Sequence, residues 1–164
     1  MNIGKPGQIV TISANGTNAQ LQRAIEAAVP AAVEQTKTIA RQFKGATDRQ
    51  TALNIFNYLK TKINYKADGN HRKVKLPSAL LRTRVGDCKS YALFTAAILQ
   101  NLKIPYRFTY ASYDPNNKEP EHIYVTTDSG YIIDAVWGRF NSEKRAAHKF
   151  NRKIQGITNA LLKI

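Results

Sequence analysis

Between Tyr91 and Leu102 the chain carries Ala92, Leu93, Phe94, Ala96, Ala97, Ile98, Leu99 and Leu102. Placed on a helix, these residues leave almost no polar side. Such a helix has to be wrapped by the rest of the fold, so it is predicted to be the buried central element. Asn101-Leu102-Lys103-Ile104-Pro105 ends it, because proline cannot continue a helix. Arg84-Val85-Gly86-Asp87-Cys88-Lys89-Ser90 leads into it, which puts Cys88, the only cysteine, in the first turn. There the unpaired backbone N–H groups and the helix dipole favour a thiolate. Asp87 is placed to cap the helix, and its charge opposes the thiolate; Arg84 and Lys89 offset that charge.

Ahead of this helix, Gln8 to Ser13 reads as a small strand. Asn15-Gly16-Thr17-Asn18 forms a turn in which Thr17 or Asn18 caps a helical stretch from Ala19 to Phe43. Pro30 is expected to kink or split that stretch, and Lys44-Gly45 to end it. A further helix starts at Thr47 or Asp48 and runs to Ile63, with Leu53, Phe56, Leu59 and Ile63 at helical spacing. Residues 64–86 form a long connection, with a turn at Ala67-Asp68-Gly69-Asn70 and a possible helix start at Pro77-Ser78. After the central helix, Tyr106 to Tyr113 alternates like a strand, and Asp114-Pro115-Asn116-Asn117 is a turn. Strands are expected over His122 to Thr127 and Tyr131 to Trp137, and a helical tail over 142–164. Helices followed by an antiparallel meander make an α+β fold. At 164 residues one domain is expected, with N-terminal helices over 1–63, a core over 64–141 and a basic segment over 142–164.

Asp128-Ser129-Gly130 suits a three-residue hairpin loop with glycine in the left-handed position. In that register Thr127 faces Tyr131 and Tyr124 faces Asp134. His122 and Asp134 then share a sheet face as diagonal neighbours, ~7–8 Å apart at the backbone. A slip of one residue would send them to opposite faces. A carboxylate in an apolar run needs a partner, and His122 is the evident one. Cysteine, histidine and aspartate in this order form an arrangement for acyl transfer through a thioester. In it Cys88 attacks a carbonyl carbon, His122 handles protons and Asp134 orients the ring. The Cys88 N–H is one oxyanion donor; the sequence does not locate a second.

A single cysteine excludes an internal disulfide framework and any cysteine-rich zinc site. Glu121-His122 has no second histidine or cysteine nearby, so neither metal nor cofactor is expected. His71 and His148 lie in polar, basic surroundings and read as solvated, and Trp137 as packing. The start, MNIGKPGQIVTIS, lacks signal-peptide character, and no run is long enough to cross a bilayer. The expected location is the cytoplasm, with no membrane contact. The formal charge is +14, from 25 Lys+Arg against 11 Asp+Glu. Nine Lys/Arg stand against two Asp over 60–89. Such an excess attracts polyanions, nucleic acid included. Tyr106, Arg107, Phe108 and Tyr110 would suit base stacking, but their alternation reads better as a sheet facing a core.

From Leu76 to Phe140 these features resemble the transglutaminase-like superfamily of papain-type cysteine enzymes. The resemblance rests on Arg84-x-Gly86-Asp87-Cys88 opening a buried helix and on Leu102-x-Ile104-Pro105 leading into a strand. His122 opening the next strand and Asp134 in a strand ending near Trp137 complete it. It implies that Cys88, His122 and Asp134 occupy the triad positions, on a helix packed against an antiparallel sheet. Many relatives carry an aromatic residue where this chain has Asp87. Small members with similar motifs are associated with bacteria, their mobile elements and phages. Three functions follow as expectations: a peptidase-like amide hydrolase acting on a protein or peptide, acyl transfer that crosslinks proteins, and a non-catalytic basic component of a larger assembly such as a phage particle.

Overall fold

The computed structural model describes residues 9–11, 17–67 and 73–154. In chain order it contains β1 (Ile9–Thr11), α1 (Asn18–Ala27), α2 (Val29–Thr36), a 3₁₀ turn (Ala40–Phe43), α3 (Asp48–Lys62), β2 (Asn64–Tyr65) and β3 (Lys73–Lys75). These are followed by α4 (Pro77–Thr83), β4 (Val85–Gly86), α5 (Cys88–Asn101), β5 (Tyr106–Ser112), β6 (His122–Thr127), β7 (Ile132–Ile133) and β8 (His148–Arg152). The fold is α+β. Its main sheet is antiparallel with strand order β7-β6-β5-β8; β1 pairs with β3, and β2 runs parallel to β4.

Helix α5 is the centre. Every residue from Ser90 to Leu99 is buried. Phe108, Tyr110, Ile123 and Val125 of the sheet join it in one core with Ile25, Val29, Ile55 and Leu59 from the helices. Phe94 shows how the layers meet. Its ring stacks on Tyr58 at 5.8 Å and meets the Phe43 edge at 5.8 Å. Burying Leu93, Phe94, Ile98 and Leu99 contributes roughly 1.5–3 kcal/mol each. Phe108 and Tyr110 are buried, in keeping with a strand facing the core.

The N-terminal helices follow their sequence signals. Thr17 caps α1 with a reciprocal Gln20 bond, and Thr47 caps α3. Pro30 splits the first stretch at Ala28, where it is tolerated in the opening turn of α2. The expected continuation to Phe43 stops at Thr36, whose hydroxyl donates to the Ala32 carbonyl, and a 3₁₀ turn follows. Ile9–Thr11 forms the predicted small strand, while the ends of that prediction lie outside the described residues. The 64–86 connection is more ordered than expected, holding three short strands and α4; all of its predicted Ala67–Asn70 turn but Ala67 lies outside the described residues.

Two expectations need correction. The tail is not helical over His148–Arg152: this segment is strand β8, antiparallel to β5. A helix there would leave the outer edge of β5 without ladder partners. The last predicted strand ends at Ile133, short of Trp137. Asp134 turns the chain instead: its Oδ1 accepts from the Val136 N–H at 3.4 Å and its carbonyl from the Trp137 N–H at 3.3 Å. Residues 155–164 of the predicted tail lie outside the described residues. Among the described residues, no helix is long and apolar enough to cross a membrane.

Candidate active site

The hairpin adopts the register read from its loop. Val125 pairs with Ile133 and Thr126 with Ile132, and Gly130 takes φ +99°. The Thr127 N–H donates to the Tyr131 carbonyl at 2.9 Å. By alternation His122, Tyr124 and Asp134 share one face, while Ile123, Val125 and Ile133 point into the core. The diagonal is closed by a hydrogen bond of 2.7 Å between His122 Nε2 and Asp134 Oδ2. Both side chains are almost fully buried, at 6% and 2% exposed.

Cys88 is the first residue of α5, so its backbone N–H has no acceptor within the helix. Asp87 caps the helix by accepting from the Ser90 N–H at 3.2 Å, and its other oxygen pairs with Lys89. That cation offsets the carboxylate next to the thiol. At Gly86 a Cβ would sit 2.4 Å from Leu80 Cδ1 and 3.2 Å from Ser90 Cβ, so a larger residue there would push the buried Leu80 side chain aside.

Cys88 and His122 open into the same cleft, of about 210 Å³. Burial lowers the affinity of His122 for a proton. Hydrogen bonding and charge from both Asp134 and Cys88 outweigh that, and its pKa rises from 6.5 to about 9. With Nε2 engaged by Asp134, Nδ1 is the nitrogen left for the thiol. An imidazolium at neutral pH is the partner a thiolate requires.

Several aromatic residues that sequence reading did not assign to the site surround it. Tyr65 of β2 stands in register with Gly86, and its ring meets Tyr91 at 5.8 Å. Burial, then the charges of Cys88, Asp87 and Asp134, push its hydroxyl up to about 12. The His122 ring lies 5.8 Å from Trp137 and 6.2 Å from Tyr113, and the Lys144 ammonium sits over both of those rings. Trp137 is thus packing, as expected, but packing against the catalytic candidate. His148, expected to be solvated, is half-buried at the start of β8, where its Nε2 meets the Pro115 carbonyl at 3.0 Å; His71 lies outside the described residues. No signal short of the three-dimensional pairing of β2 with β4 could have pointed to Tyr65.

A family model described as the transglutaminase-like superfamily matches residues 37–150. Among solved structures, a candidate cysteine protease from Cytophaga hutchinsonii is similar at 18% identity with a TM-score of 0.47. The match covers 63% of this chain and 37% of that one, so the chain spans little more than a third of its length. No curated protein matches the sequence.

Proposed function

Because the chain belongs to the transglutaminase-like superfamily, we propose that it is a cysteine-dependent amide hydrolase acting on a protein or peptide, with Cys88 as nucleophile, His122 as acid–base and Asp134 as the group that orients it. The observation that carries this reading is the buried 2.7 Å contact between His122 and Asp134, with the same His122 lining one cleft together with Cys88.

The chemistry runs in two halves. Cys88 Sγ attacks the amide carbon, and the carbonyl electron pair moves to oxygen. The Cys88 N–H is one donor to that oxyanion, and the Tyr65 hydroxyl, whose proton affinity responds to the charge of Cys88, is proposed as the second. As the C–N bond breaks, the imidazolium protonates the leaving amine and a thioester remains on Cys88. Neutral His122 then takes a proton from water, the hydroxide adds, and the acid departs with the thiol restored. An amine entering instead of water would give transfer, and exclusion of water decides between the two. The net charge of +14 favours acidic substrates, or an acidic assembly around the protein.

The test supplies a peptide substrate with and without a labelled primary amine and follows both products. Released acid that depends on Cys88 and His122 supports the hydrolase. Amine incorporation without acid release would replace it by the transferase. Intact substrate throughout, with no acyl-enzyme by mass spectrometry, would leave the reading without support.

A further inference from the structure

Helix α1 lies outside the region matched by the family model, which begins at residue 37, yet it forms one wall of the cleft at the thiol. Leu21 and Ile25 of α1 face into it, opposite Tyr110, Pro120 and Ile123. Gln22 and Asn18 add polar groups from the same helix. This wall is fixed in place. Glu26 accepts from Arg152 Nε at 2.7 Å and Nη2 at 3.2 Å, and from the Tyr110 hydroxyl at 3.2 Å. Asn18 Nδ2 donates to the Pro120 carbonyl at 3.5 Å. The helix is thereby tied to β5, to β8 and to the loop before His122.

Resting on the hydrolase reading, we propose that α1 supplies the specificity pocket of this enzyme and that the pocket takes a single aliphatic or aromatic side chain of the acyl residue joined to Cys88. The size argues for one occupant: about 210 Å³ holds one medium to large side chain and no more. The lining argues for its chemistry. Five carbon-rich residues line it; of its cationic groups Lys89 is paired with Asp87 and His122 with Asp134, and its one carboxylate, Glu121, is exposed. An acidic side chain would lose its hydration against cations that already hold carboxylate partners. Because the α1 wall is anchored, the pocket is formed before substrate arrives, so side-chain fit is read directly in the rate of reaction at the thiol.

The experiment uses N-acetyl-aminoacyl chloromethyl ketones carrying Gly, Ala, Leu, Phe or Asp, with iodoacetamide as a side-chain-free control. Cys88 is the only cysteine, so every adduct reports one site. The expected order is Leu and Phe fastest, with Gly and Asp slower by about 10-fold or more, the discrimination an apolar pocket gives. Leu21 is half-buried, so its variants should keep the fold. Leu21→Trp should erase the preference by filling the pocket, and Leu21→Ala should shift it from Leu toward Phe. Each variant's rates are read relative to its own iodoacetamide rate, so that a change in thiol access is separated from a change in side-chain preference. Equal rates across the side chains, or a preference unmoved in Leu21→Trp, would overturn the assignment. An iodoacetamide rate independent of His122 would instead overturn the hydrolase reading beneath it.

Discussion

His122 and Asp134 are held one diagonal apart by the β6–β7 hairpin, and their side chains close that diagonal with a 2.7 Å bond. The carboxylate does two jobs for the ring. It occupies Nε2, which leaves Nδ1 for the thiol, and it stabilises the imidazolium. Asp134→Asn keeps the shape but removes the charge. It is expected to lower kcat by roughly 10²–10⁴-fold, the range of acid–base and triad losses, with KM changed little. Steady-state kinetics on a peptide amide check this; a loss confined to KM would mean that Asp134 only supports binding.

The raised His122 pKa has a stability consequence. Its folded-state value, about 9, lies above its ordinary 6.5, so the folded protein holds this proton more tightly than the unfolded chain. The stabilisation is complete below about pH 6.5 and is lost as pH rises through 9. Urea melts of the wild type and His122→Gln should therefore diverge most at pH 6 and converge toward pH 9.5. A stability difference that grows with pH would show a neutral histidine in the folded state.

Tyr65→Phe removes a hydroxyl without disturbing the ring contact to Tyr91. If the hydroxyl binds the oxyanion, kcat falls by about 10²–10³-fold while iodoacetamide labelling of Cys88 is unaffected, since alkylation forms no oxyanion. An unchanged kcat would remove Tyr65 from the mechanism.

Phe94 is fully buried at the junction of α5 with the Phe43 and Tyr58 rings. Phe94→Ala should cost about 3–5 kcal/mol in a denaturant titration. A cost below 1 kcal/mol would mean that α5 is not the centre of the core.

Local signals carried far in this chain. The apolar girth of Ala92–Leu99 announced the buried helix, and Asp128-Ser129-Gly130 set the register that brings His122 to Asp134. Both depend on neighbours in sequence. What stayed hidden depends on partners far along the chain. Strand β8 exists because β5, some forty residues earlier, has an edge to fill. Asp134 ends β7 by accepting from the Val136 and Trp137 N–H groups, which an alternating apolar pattern does not reveal. The approach of α1 to the cleft is set by Glu26 reaching Arg152, 126 positions away. No local pattern encodes such a meeting.

Catalysis by this site needs a thiol activated by an imidazolium, and the rate of Cys88 alkylation by iodoacetamide at pH 7 measures that activation most directly. Wild-type protein should label faster than free cysteine, and His122→Ala should slow labelling by at least about tenfold while keeping the wild-type fold by circular dichroism. Equal rates in the wild type and in folded His122→Ala would contradict it, and would leave Cys88 as an ordinary half-buried thiol.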